Sequence, residues 1–372
     1  MLRTPGPGGQ FMGVLRDGST YTAVLAVRPQ SFALCDSEEQ ARRLAGWGSV
    51  LAGLAREGSP VCRVQWLERT APADDGELLR AAQACLTLPA DHPLASAYLH
   101  LLDQAGPATQ AHEAYVALQV DAKRAPRLVK AGGGGDEGAL AVLRRELATL
   151  SSGLAGAEVV VDGALSPRAL AKAIRVAFDP GARAGLARRA ALDPDRAGVF
   201  PAAAWPSATD DGWASYRADD THHTVYWVEE WPRTPVGPDF LSPLLLGTRC
   251  ARVVSLTVEP VPPGRAARQV EATRTADLAD EELRRRGGFL PSARRRRQHE
   301  GVERREEELA DGHADCRFSG YVAVSAPDPD ALEAACGEVE QLAQQCRLQL
   351  TRQRGRQEEA FAWTLPLWRG LR

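Results

Sequence analysis

The sequence predicts an α+β protein: two lobes of mostly antiparallel sheet with packed helices, the second interrupted by a long helical hairpin. Three observations carry that expectation. Apolar, β-branched runs of strand length recur through both halves, with amphipathic runs of helical period between them. A hairpin-type turn signal folds the first two runs back on each other. Finally, residues 264–313 are densely charged and hold helix breakers mainly at their centre, GGFLP, as two helices joined by a tight turn require.

The first lobe, residues 1–180, opens with FMGVLRDGSTYTAVLAVRPQSFAL. Two apolar runs flank Arg16-Asp17-Gly18-Ser19, which predicts a hairpin whose second strand continues to about Leu34. In DSEEQARRLAGWGSVLAGLAREG, Leu44, Trp47, Leu51 and Leu54 recur at spacings of three and four. Asp36 or Ser37 offers the N-cap and Gly58 ends the run, so this is an amphipathic helix. VCRVQWLERT alternates as a strand, a helical stretch spans about 77–105, and HEAYVALQVD (112–121) is a further strand. A basic, Pro- and Gly-rich loop from Lys123 to Gly135 leads to the helix ALAVLRRELATL and the strand AEVVVDG. The helix SPRALAKAIRVAF follows, with Ser166 as cap and Pro167 at its first position.

Residues 181–207, rich in Ala, Arg, Pro and Gly, read as a linker or lobe boundary. The second lobe, 208–372, begins with the strand THHTVYWVEEWP, a short helix near Phe240–Leu246 and the strand CARVVSLTVEPVPP. The hairpin 264–313 comes next, as two helices of roughly twenty residues, ~30 Å long each. FSGYVAVSA is a strand, DPDALEAACGEVEQLAQQC a helix and CRLQLTRQ a last strand. The element order suggests that the two halves are related in architecture.

Composition narrows the function classes. A net charge of −3 argues against a chain that coats nucleic acid by bulk electrostatics. Lys123, Lys130 and Lys172 are the only lysines, and this arginine bias with abundant Ala, Gly and Pro points to a high-GC bacterial gene. The seven cysteines form no CxxC pair and fit free thiols in a reducing compartment. No apolar run reaches the ~18 residues of a membrane-spanning helix, and MLRTPGPGGQF is no signal peptide. A cytoplasmic protein is therefore expected.

Catalytic constellations are not apparent. Without a Gly-Lys pair there is no P-loop. Gly133, Gly135 and Gly138 spell GxGxxG, but KRAPRLVKAG separates them from the strand ending at Asp121, whereas a dinucleotide site needs its glycines at the strand end. A nucleotide-dependent enzyme is kept only as something to test. His313 and Cys316 have no metal-ligand partners at suitable spacing apart from the distant His299, and His222 and His223 point to opposite faces of a strand. There is no GxSxG elbow, and Cys62 and Cys85 sit beside apolar residues. No catalytic, cofactor-binding or metal residue is assigned, no cofactor is expected, and the chain reads as a non-enzyme.

The candidate partner-binding residues are those of RRRGGFLPSARRRR: Arg284, Arg285, Arg286, Phe289, Leu290, Arg294, Arg295, Arg296 and Arg297. From Asp277 to Asp311 nine arginines face ten acids, so the hairpin is nearly neutral and its positive pole is the turn. Four arginines at the start of the second helix oppose its macrodipole, each costing on the order of 0.3–1 kcal/mol, which an anion at the tip would relieve. The apolar Phe289 and Leu290 favour an acidic protein or an anionic lipid surface over nucleic acid, while a solvated tip remains the plain alternative.

HEAYVALQVD, SPRALAKAIRVAFDP, FSGYVAVSAPDPDALEAACGEVEQLAQQCRLQLTR and QEEAFAWTLPL together resemble the N-terminal, non-motor region of type IV secretion and conjugation ATPases, the CagE/TrbE/VirB family, in particular stand-alone actinobacterial relatives without a P-loop. The similarity runs from about Gly13 to Pro366. It implies paired α+β lobes and a non-enzymatic adaptor that docks a separately encoded hexameric P-loop ATPase to a membrane-embedded secretion component. The protein would then lie at the inner face of the cell membrane and oligomerise through its partner. Relatives often begin with a transmembrane hairpin, which this chain does not show. A nucleic-acid-binding module acting through the arginine tip is the alternative.

Overall fold

The computed structural model describes residues 1–6, 9–28, 35–72, 82–89, 92–105, 110–193, 197–286 and 311–367, with isolated positions at 301, 304 and 307–309. The strands are β1 (Leu2–Pro5), β2 (Phe11–Asp17), β3 (Thr20–Arg28), β4 (Val61–Pro72), β5 (Gln110–Asp121), β6 (Val160–Ala164), β7 (Thr209–Asp211), β8 (Tyr216–Ala218), β9 (Thr221–Glu230), β10 (Ala251–Val261), β11 (Asp315–Ala326) and β12 (Gln349–Arg352). The helices are α1 (Ser37–Leu54), α2 (Pro93–Ala105), α3 (Pro126–Ala131), α4 (Gly135–Gly156), α5 (Pro167–Phe178), α6 (Ala182–Leu192), α7 (Ser242–Leu246), α8 (Pro263–Arg286), α9 (Pro329–Gln345) and α10 (Gln357–Ala362).

All twelve strands join one antiparallel sheet. Its order is β1-β2-β3-β5-β4-β10-β11-β9-β8-β7, with β6 on β3 and β12 on β9. The α+β class is as expected. The same plan occurs twice: β2-β3-β5-β4 with β6 against β3, then β8-β9-β11-β10 with β12 against β9. Helices α5 and α10 follow the two short strands at equivalent places. The halves meet where β4 pairs with β10, from Arg252↔Thr70 to Val258↔Val64.

Alternation along the strands sorts the core into two layers. Val24, Leu67, Ala117, Val253 and Tyr321 face one side, where α5, α10 and the residue that follows α10 cover them with Leu170, Ile174, Phe178, Phe361 and Trp363. Leu25, Val116 and Leu118 face the other side beneath α1 and α4. Val254, Val322 and Val324 continue that side beneath α9. Each such large apolar side chain, fully buried, contributes about 1.5–3 kcal/mol of transfer free energy.

The seam between the halves is polar as well as apolar. Arg252, fully buried, donates from Nη1 to Glu68 Oε2 at 2.7 Å, from Nε to Thr248 Oγ1 and from Nη2 to the Leu245 carbonyl. His112 Nδ1 lies 2.8 Å from the other Glu68 oxygen. On the opposite face Gln65 Nε2 donates to Ser255 Oγ at 2.8 Å and to the Trp363 carbonyl at 2.9 Å. The C-terminal segment is thereby tied across the seam.

Local signals mark several ends as read. Asp36 and Ser166 accept from the backbone N–H three residues on, as N-caps, and Asp328, not picked out as a cap in the sequence, does the same for α9. Gly18, at φ +57°, occupies the β2–β3 turn. Other expectations need correction. In α1 the buried residues are Val50 and Leu54, and Leu44 is exposed, because α4 meets the helix on a face rotated from the expected stripe. The loop at 123–135 contains a 3-10 turn, Ala122–Arg124, and α3. Residues 181–207, expected as a linker or lobe boundary, do lie between the two repeated units, but they are no open linker: they contain α6 and bury Leu186, Val199 and Ala204 in the core. The helix expected at about 77–105 is broken: 82–85 and α2 are helical, 86–89 are not, and 73–81 and 90–91 lie outside the described residues. Of the helical hairpin, the first arm is α8, and the second arm lies largely outside them.

Candidate functional site

The 27-residue stretch SPRALAKAIRVAFDPGARAGLARRAAL, residues 166–192, carries Arg168, Lys172, Arg175, Arg183, Arg188 and Arg189 against a single acid, Asp179. Its charge of +5 contrasts with the net −3 of the whole chain. It folds into α5 and α6. Leu170, Ile174 and Val176 bury one side of α5 in the sheet core, so Arg168, Lys172 and Arg175, at spacings of four and three, share another stripe.

A cleft of about 630 Å³ opens between α5, α6 and the chain segment 198–203, lined by Arg168, Arg175, Leu186, Arg189, Val199 and Phe200. The segment is pinned at its start. Val199 N–H donates to the Arg168 carbonyl at 3.0 Å. Gly198 adopts φ +82°, and a Cβ there would lie 2.7 Å from that same carbonyl oxygen, so glycine is required. Pro201–Ala203 form a 3-10 turn. Phe200 is thus held on an ordered turn with its ring centroid 4.8 Å from the Arg168 guanidinium, while 68 % of the residue stays exposed.

Carboxylates beneath the cleft fix some of these arginines. Arg175 donates to Asp219 at 2.9 Å and to Asp179 at 3.1 Å. Arg183 Nε donates to Glu113 at 3.2 Å, and Glu113 also accepts from Arg69 and Tyr115. Burial alone would raise the Glu113 carboxyl, but the Arg69 and Arg183 charges overcome it and hold its pKa at about 2. Burial pushes the Tyr115 hydroxyl up to about 12. Among the described residues, Arg188 and Arg189 form no ion pair. The base of α5 is anchored by His223, which donates from Nε2 to the Phe178 carbonyl at 3.1 Å and accepts at Nδ1 from Ser325 Oγ at 2.8 Å. Burial pushes that imidazole down to about 3, so it is neutral at ordinary pH.

Such a cleft can hold an anion by paired guanidinium donors and offer apolar area beside it. The expected partner-binding residues are elsewhere. Arg284, Arg285 and Arg286 end α8, where only the backbone is described, and Phe289, Leu290, Arg294, Arg295, Arg296 and Arg297 lie outside the described residues. Sequence reading missed the α5–α6 cleft because it split the basic run between a helix and a linker. The charge count over 166–192 was the available signal. The GxGxxG match has a packing explanation: Gly133 and Gly135, both at positive φ, turn the chain from α3 into α4. A Cβ on Gly138 would lie 1.9 Å from the Val129 carbonyl oxygen, so the two helices cross at backbone contact. His222 and His223 pair with Ala326 and Ser325 and do not converge. Burial raises the Cys62 thiol to about 11, which leaves it a poor nucleophile.

Residues 108–228, about a third of the chain, match the family described as "Putative type VII ESX secretion system translocon, EccE". The match spans β5 to β9 and so includes the whole cleft. No curated protein matches the chain. The EccE match corrects the resemblance to type IV CagE/TrbE/VirB ATPases: HEAYVALQVD and SPRALAKAIRVAFDP, two of the tracts on which it rested, fall within the stretch similar to a type VII component. Interleaved α+β order, which carried the type IV resemblance, is shared by unrelated machines and does not separate them. Among the described residues no helix is long and apolar enough to cross a membrane.

Proposed function

We propose that this chain is a non-enzymatic scaffold subunit of a type VII, ESX-like secretion translocon. The match of residues 108–228 to EccE is the observation that carries the reading. The architecture supports it. Two α+β units share one sheet, sealed by a buried ion pair, which gives a rigid body with distinct surfaces for more than one partner. In this reading the chain bridges a membrane-embedded secretion component and a separately encoded hexameric P-loop ATPase, since the sequence has no P-loop of its own.

The test is affinity purification of the tagged chain at native expression from mildly solubilised membranes of its own host. Membrane proteins of the same gene neighbourhood and a P-loop ATPase should co-purify in comparable amounts. Recovery of the chain alone from the membrane-free fraction would overturn the translocon reading. Co-purification of membrane proteins without an ATPase would remove the ATPase bridge only. A thermal-shift screen of the chain with ATP and NAD tests its non-enzymatic character, and clear stabilisation by either would count against it.

A further inference from the structure

We infer that the α5–α6 cleft is an anionic phospholipid site, through which this face of the protein lies on a membrane surface. Two independent features of the face meet there. One is charge: Lys172, Arg188 and Arg189 belong to the +5 stretch, the carboxylates Asp179, Asp219 and Glu113 are engaged by Arg175, Arg183 and Arg69, and Asp193 at the end of α6 is the one acid that follows directly. The other is apolar protrusion. Leu192, one turn beyond Arg189 on α6, is 89 % exposed, and Phe200, across the cleft mouth, is 68 % exposed.

Neither feature alone holds a protein on a bilayer, because a weak apolar anchor or a few basic residues give only marginal, reversible binding. Together they supply the two signals that stable peripheral attachment needs. A headgroup phosphate meets Arg189 in the cleft, and Phe200 from its lining and Leu192 from the end of α6 enter the headgroup and upper acyl region. A bilayer is favoured over an acidic protein by the apolar side chains themselves. They stand out from the surface, and lipid accommodates protruding groups without the matching pockets that a folded partner must provide.

The test is co-flotation of the full chain with vesicles of phosphatidylcholine alone and with about 30 % phosphatidylglycerol, at low salt and at about 0.5 M salt. The chain should float with the anionic vesicles only, and high salt should release it. R188E/R189E and L192S/F200S, all surface changes checked for folding by circular dichroism, should each lower the bound fraction at least about tenfold, as two lost contacts of this kind imply. A quadruple change of Arg294–Arg297 to Glu should leave binding in place. No binding to anionic vesicles at low salt, or binding unaffected by R188E/R189E, would overturn the inference. So would binding lost only with the quadruple change. Binding to a polyglutamate peptide but not to vesicles would replace lipid by an acidic protein. Saturation by inorganic phosphate with no vesicle binding would reduce the cleft to a free-anion site and overturn it too. The inference stands on this face alone, so its failure leaves the translocon reading intact.

Discussion

Removal of Glu68 is the most informative single perturbation of this fold. Its carboxylate accepts from Arg252 Nη1 at 2.7 Å across the β4–β10 seam, and it also holds His112 and Thr70. Burial by itself would raise the Glu68 pKa, but hydrogen bonding from His112 and the adjacent Arg252 charge hold it below the usual range. Glu68→Ala leaves the Arg252 guanidinium fully buried with only two neutral acceptors, Thr248 Oγ1 and the Leu245 carbonyl. An uncompensated buried charge costs about 3–5 kcal/mol, a large part of the 5–15 kcal/mol that typically holds a protein folded. The pair itself is worth far less than that, because its attraction is offset by desolvation of both ions. Glu68→Leu with Arg252→Met should therefore recover most of the loss. The assay is urea unfolding followed by circular dichroism, with all three proteins at one pH above 6. Destabilisation below about 1 kcal/mol for Glu68→Ala, or a double variant no more stable than the single one, would refute the reasoning.

Acid should weaken the fold in two separable windows. The His223 pKa falls from the ordinary 6.5 to about 3, so below pH 6.5 the unfolded chain takes a proton that the folded chain refuses, and stability drops as pH falls, by about 1.4 kcal/mol per unit. Chemical denaturation between pH 6.5 and 5 should show that slope, and His223→Gln should flatten it. Glu113, held at about 2, acts in the lower window: its contribution is present above about pH 4.5 and disappears as pH falls through its folded value, so Glu113→Gln should lower stability at all pH by leaving buried Arg69 without its carboxylate, and should remove this pH dependence below 4.5. Gly138→Ala should cost at least about 1–3 kcal/mol by forcing α3 and α4 apart, whereas Gly185→Ala, with open space at its Cβ, should gain about 0.5–1 kcal/mol; melting temperatures of the two would rank them in opposite directions from the parent.

What could be read in the sequence was local. Asp36 and Ser166 announced helix starts because a cap bond closes within three residues, and Asp17-Gly18 announced a hairpin because the turn needs a residue at ease with positive φ. Strand identity followed from period-two alternation, and so did the α+β class. The basic charge of 166–192 was equally legible, but its meaning was not: only packing shows that α5 and α6 border one cleft and that Leu192 and Phe200 stay exposed while Leu186 and Val199 are buried.

Pairing was decided by the tertiary structure. Nothing near Glu68 indicates that its partner is Arg252, 184 positions away, or that β4 and β10 fuse two α+β units into one sheet. A strand's own residues specify that it will be a strand and which of its faces is apolar. They do not specify which of several similar strands lies beside it. That choice depends on chain connectivity and on side-chain fit between distant segments, including where a buried arginine finds its carboxylate.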